Sequence, residues 1–149
     1  MDITKIWAKT APKKSLIDHM LETGIVTECL IDADGMYRPV LSRLSEITGC
    51  DNNKLSAKIV FICAIHDIGK AHPIFQGRDA ETLEILRRKN LNQASFDTRF
   101  RHEQYGANIF DRLSAEDVDI KNSDIISQII RMHHQKEQKK NSDIDIIKN

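Results

Sequence analysis

The chain has 149 residues and 40% hydrophobic content, enough for one domain with a single modest core. Its 22 basic residues balance 22 acidic ones, which excludes a protein drawn to nucleic acid or an anionic membrane by its overall field, so any attraction for phosphate must be local. Cys29, Cys50 and Cys63 are too few and too widely spaced for a disulfide framework, and no apolar stretch fits a signal peptide or the ~18 residues of a membrane span, so a cytoplasmic protein with no membrane association is expected.

In chain order the pattern is helical almost throughout, and strand candidates are few. Ser15 followed by Asp18 reads as an N-cap with an acidic first turn, after which Leu16, Met20, Thr23, Thr27 and Leu30 recur at helical spacing with His19 on or beside that face. The Asp32 to Gly35 turn ends this helix. Leu41, Leu44 and Ile47 mark a second, closed by Gly49, and Asn52 and Asn53 are candidate caps for a third. From Leu55 to Ile65 the residues are nearly all apolar and too many for a buried strand, which predicts a helix enclosed on all sides and ending at His66-Asp67. Residues Ala71 to Gly77, with Pro73, read as a loop. Asp79, Glu81 and Glu84 then open a helix whose last turn holds Arg87, Arg88 and Lys89, a charge order that suits the helix dipole.

Two later segments carry histidine on their apolar faces. His102, Tyr105, Gly106, Ile109, Phe110 and Leu113 follow one helical stripe, with His102 at its start. Ile126, Ile129, Ile130, His133 and His134 follow another, on a helix capped near Asn122 or Ser123, which aims both histidines inward. There is no internal repeat or inter-domain linker, and residues 135–149 read as a polar, loose tail.

Imidazole is costly to bury without a partner. For a single histidine the ordinary explanation is a core residue satisfied by a backbone carbonyl. Here His19, His66, His102 and the pair His133-His134 each coincide with a predicted interior face, and a shared metal accounts for all of them together. Neutral imidazole and carboxylate suit divalent transition metals, and Asp67 directly after His66 can bridge two ions with its two oxygens. A metal pair held in this way suits hydrolysis of a phosphate ester.

A His-Asp pair alone is weak evidence, but His66-Asp-Ile-Gly-Lys70 at the end of an apolar helix, with flanking histidines in order, is far more specific. With these residues the sequence resembles the HD superfamily of metal-dependent phosphohydrolases. Within it, the closer resemblance is to the HD nuclease domain of the type I CRISPR-associated helicase-nuclease, carried by Trp7-Ala-Lys9, His19, the Cys63 to Gln76 run, Arg101-His102-Glu103 and His133-His134. The Pro73 to Gln76 element favours this branch over nucleotide-cleaving HD enzymes.

The resemblance implies an all-α HD-domain helical bundle over residues 1–149. It implies that His19 and His66 serve one metal, Asp67 bridges, and His102, His133 and His134 serve a second, with up to two manganese, nickel, cobalt or iron ions per chain. The family adds an aspartate well downstream of the His-His pair. The chain ends at Asn149 before that residue is expected, and neither Asp143 nor Asp145 is expected to replace it, so a domain truncated at its C-terminal end is the expectation. The implied activity is cleavage of single-stranded DNA in CRISPR interference. Its implied partners are a helicase region or subunit of the same system and a guide-RNA surveillance complex that opens the duplex by base pairing. The chain has no Walker-type phosphate loop, so the helicase must lie elsewhere.

Other residues have two readings. Lys70 either contacts a substrate phosphate or caps a helix end, and the resemblance favours function, as a catalytic residue beside Asp67. The five basic residues and one acid from Arg87 to Arg101 could guide a DNA backbone, though a solvated face is the commoner meaning of such a run. Phe75 and Trp7 could stack on a base but are expected to pack in the core, and His72 is expected at the surface or behind the site. Two further functions remain open. An HD phosphohydrolase of nucleotides or cyclic nucleotides would show a deep closed pocket, and a catalytically silent HD remnant acting as a binding module would carry no metal.

Overall fold

The computed structural model describes residues 5–88, 100–115 and 123–134. A short antiparallel hairpin, β1 (Trp7–Thr10) and β2 (Lys13–Ser15), precedes α1 (Leu16–Ile31), α2 (Arg38–Thr48) and α3 (Asn52–Ile65). A 3-10 turn over Ile68–Ala71 leads into α4 (Pro73–Gln76) and α5 (Ala80–Arg88), followed by α6 (His102–Ala115) and α7 (Ser123–Met132). The fold is thus mostly helical, as expected, with the hairpin added.

Local chemistry explains where the elements begin. The Ser15 hydroxyl accepts from the Asp18 amide at 3.0 Å and donates to its carboxylate at 2.6 Å, capping α1. Gly49 closes α2 at φ 64, where a side chain would be strained. The cap of α3 is Asp51 rather than Asn52 or Asn53: its carboxylate accepts from the Asn53 and Lys54 amides at 3.0 and 3.2 Å. A carboxylate outcompetes an amide here because it also meets the positive end of the helix dipole. Residues expected as a loop after Ala71 form α4 instead, with Pro73 at its first position, where a missing N–H costs nothing, and the His72 ring capping it.

α6 and α7 lie against each other, and α1 packs on α3. Ile65, Ala107, Phe110 and Ile130 form the core cluster, joined by Met20, Ile68 and Ile126. The predicted stripe of α6 therefore faces inward from His102 to Phe110. On α7 the inward positions are Ile126, Ser127 and Ile130, while Ile129 is exposed. Ser127 can be buried because its hydroxyl donates to the Ala107 carbonyl. The expectation that α3 is enclosed fails: Ala57 and Phe61 are exposed along an open groove of about 600 Å³ shared with α1 and α2. Its apolar run exceeds what two neighbouring helices cover. Leu44 and Ile47 of α2 are likewise exposed.

The hairpin is tied down by Gln76, which is fully buried. Its side-chain amide donates to the carbonyls of Trp7 and Lys70 at 2.8 and 2.7 Å, and its side-chain oxygen accepts from the Trp7 amide at 3.1 Å. The Trp7 indole N–H donates back to the Gln76 carbonyl at 3.2 Å, and the Trp7 and Phe75 rings meet at 4.9 Å. Trp7 and Phe75 are therefore core residues rather than an exposed stacking platform.

Candidate metal centre

The site is built where α3 ends. The last turn of α3 delivers His66, the chain bends, and Asp67 starts the 3-10 turn with its carboxylate almost fully buried. Gly69 makes this position possible: a Cβ there would stand 1.8 Å from the His102 carbonyl oxygen and 2.7 Å from the Gly106 amide nitrogen. Only glycine lets the turn lie flat on the start of α6, and so only glycine brings Asp67 against His102.

Both oxygens of Asp67 are engaged. Oδ2 lies 2.9 Å from His19 Nε2, 3.3 Å from His66 Nε2 and 2.6 Å from Lys70 Nζ. Oδ1 lies 3.0 Å from His102 Nε2 and 3.6 Å from His133 Nε2. The His134 ring stands 4.2 Å from that of His133 and 4.9 Å from that of His102. Every residue expected at the site thus meets at one place, in two groups that share Asp67: His19 with His66, and His102 with His133 and His134. Within each group the candidate donor atoms all lie within 4.8 Å of one another. One detail departs from expectation: His134 lies on the turn after α7 and is exposed, whereas His133 is half-buried. The apolar stripe does not carry through that turn.

Second partners fix the rings. His66 Nδ1 lies 2.7 Å from the Cys63 carbonyl and His133 Nδ1 lies 2.6 Å from that of Ile130. A carbonyl can only accept, so Nδ1 carries a proton in each, which turns Nε2 toward Asp67 and leaves that nitrogen to a second proton or a cation. His133 Nε2 is buried with no hydrogen-bond partner, which is costly for a polar atom unless something positive fills the gap. Donor atoms each about 2.1 Å from a common ion stand roughly 3.0–3.4 Å apart at right or tetrahedral angles. The separations of 2.9, 3.3, 3.0 and 3.6 Å from Asp67 to the four imidazoles are close to that range, so the donor set fits a divalent transition metal in each group.

The electrostatics agree. Burial works against the ionised Asp67 carboxyl, but hydrogen bonds from His102, His66 and Lys70 outweigh it and hold the group well below the usual carboxylate range. Burial lowers the His19 imidazole against the upward pull of Asp67, and burial followed by the neighbouring imidazoles lowers His134. Hydrogen bonding to Asp67 raises His66.

Glu103 joins the site although the sequence pattern does not single it out. It is buried, its Oε2 lies 3.6 Å from His102 Nδ1, and its Oε1 accepts from Arg101 Nε at 2.5 Å. Its signal was its place beside His102 in the Arg-His-Glu run. Arg101 is thereby engaged by a buried carboxylate, and Arg88 pairs with Glu84 at 3.0 Å on the exposed face of α5. The intervening residues 89–99 lie outside the described residues, as do Asn122 and the tail 135–149 with Asp143 and Asp145. His72 sits behind the site, its ring lowered in pKa by burial and packed between Phe100 and Tyr105 at 4.7 and 4.1 Å.

A mostly helical bundle that ends an apolar helix on a His-Asp pair and gathers four further imidazoles at that aspartate defines an HD-type domain. A family model described as Cas3, HD domain, matches residues 7–147, and the chain belongs to that family. Membership implies a metal-dependent nuclease of CRISPR systems, working in company with a helicase. No curated protein and no solved structure matches the chain. Among the described residues no helix is long and apolar enough to cross a membrane.

Proposed function

We propose that this domain cleaves single-stranded DNA in CRISPR interference, in the cytoplasm, using two divalent transition metal ions of the manganese, nickel, cobalt or iron type. In this reading His19, His66 and Asp67 hold one ion and Asp67, His102, His133 and His134 hold the other. The observation that carries it is the single buried Asp67 carboxylate with imidazole nitrogens ranged against each of its oxygens. Bound ions would supply Lewis acidity and an acidified water, the requirements of phosphodiester hydrolysis.

The chain's own residues supply the frame. Carbonyl contacts to His66 and His133 aim their Nε2 atoms, and Gly69 holds Asp67 in the middle. Lys70, whose ammonium lies 2.6 Å from the same carboxylate, would meet the charge that builds on a phosphoryl oxygen. A helicase region or subunit feeds the strand, and a guide-RNA surveillance complex supplies the sequence selectivity.

The test is incubation of the chain with single-stranded DNA and with nucleoside triphosphates, each with manganese, nickel or magnesium, beside Asp67→Ala. Cleavage of DNA by the wild type alone is expected. Turnover of triphosphates but not DNA would reassign the substrate, and identical behaviour of wild type and variant on every substrate would remove the enzyme reading.

A further inference from the structure

The two halves of the centre are not equivalent. Oδ2 of Asp67 is already paired with a full positive charge, the Lys70 ammonium at 2.6 Å, and the other candidate donors of that group are two imidazoles. Lys70 is not free to swing aside without cost. It is largely buried, its carbonyl is held by Gln76 at 2.7 Å, and its ammonium lies 5.8 Å from the Phe75 ring centroid. Among the described residues Oδ1 faces no lysine. It faces His102 and the unpartnered His133 Nε2, with His134 alongside, and the Glu103 carboxylate behind His102 adds negative charge that Arg101 shares.

From this asymmetry we infer that the two groups fill in order, the Oδ1 group first, and that Lys70 sets the gap by competing with the second ion for Oδ2. The inference rests on the reading of both groups as metal sites. An incoming dication at His19 and His66 shares its carboxylate oxygen with an ammonium and is repelled by it at short range, in a site with little water to screen the charge. At the Oδ1 group a cation instead relieves an unpaired nitrogen. When the second ion enters, the ammonium is pushed off Oδ2. Lys70 then becomes available to a phosphate only in the fully loaded domain, which couples metal occupancy to substrate contact.

Calorimetric titration of the full chain with cobalt, alongside the visible absorption of the bound ion, reads this directly. The wild type is expected to bind in two steps, and His19→Ala is expected to abolish the weaker one. Lys70→Gln should tighten the weaker step by tenfold or more and leave the tighter step within threefold. Lys70→Arg, which keeps the charge, should keep the gap, and it serves if the glutamine variant does not fold by circular dichroism. A weaker step unmoved or weakened by Lys70→Gln, a gap closed by Lys70→Arg, or loss of the tighter step in His19→Ala would each overturn the inference. Two equal steps in the wild type would also overturn the order while leaving the metal reading intact. Absence of any cobalt binding would end both.

Discussion

Replacing Gly69 with alanine tests whether the site depends on backbone approach rather than on the ligands alone. The new methyl carbon would stand 1.8 Å from the His102 carbonyl oxygen, against an ordinary separation of roughly 3.5 Å, so the 3-10 turn and α6 must part by well over an ångström. Neither side can yield by rotating a side chain, because the clashing atoms at 1.8, 2.7 and 2.8 Å are all backbone. The cost is therefore at the upper end of overpacking, about 3 kcal/mol, which for a chain of this size lowers Tm by about 6–12 °C. The same displacement separates Asp67 from His102, now 3.0 Å apart, and dismantles the Oδ1 group. Urea unfolding followed by circular dichroism gives the stability, and elemental analysis after dialysis gives the metal per chain. Gly24→Ala is the control. Its Cβ would meet the Ala64 methyl at 3.3 Å and a Val60 methyl at 3.9 Å, both side-chain atoms, and the helix gains propensity from alanine, so it should stay within about 1 kcal/mol of wild type. A Gly69→Ala chain as stable as that control, with its metal retained, would refute the argument.

Gln76→Leu should cost about 3 kcal/mol, since it leaves the Trp7 amide, the Trp7 carbonyl and the Lys70 carbonyl unpaired at a buried position; Trp7 fluorescence should shift to the red as the hairpin loosens, and an unshifted spectrum would count against the clasp. Metal retention should fall as the pH drops from 7 to about 5, because protons and ions compete for the same Nε2 lone pairs, with the raised His66 protonating early; a full complement of metal at pH 5 would contradict this. In the chelated chain, the depressed Asp67 carboxyl contributes stability above its unfolded value near pH 4, and that contribution is lost as pH falls further. Unfolding midpoints measured down to pH 2 should show the loss in wild type and a smaller one in Asp67→Asn.

Those features that rest on local chemistry were legible in the sequence. The Ser15 cap, the Gly49 stop and the inward stripe of α6 depend on residues a turn or two apart, and the structure has them as read. The gathering of histidines was legible because each continues an apolar pattern in the sequence, although His134 lies on an exposed turn beyond its helix. Features that depend on distant partners were not. The hairpin forms because Gln76, which lies 69 positions from Trp7, supplies its buried polar contacts, and no pattern within residues 7–15 announces that. The apolar run of α3 marked a helix correctly but not how much of it is covered, which its neighbours decide. Ile129 and Ser127 exchange the roles that hydrophobicity alone assigns them, because a carbonyl of α6 happens to be in reach of the serine. Nothing in the sequence marks Glu103 by itself, because its value lies in the company of His102 and Arg101 rather than in its own character.

The six candidate ligands are contributed by α1, the end of α3, the start of α6 and the turn after α7, so the centre draws on nearly every stage of chain elongation. A polypeptide emerging from the ribosome exposes His19 early and His134 last, and a fragment released before α7 lacks half the donors around Oδ1. On the proposed reading, the donor set around Asp67 is complete only once α7 and the turn after it have been made.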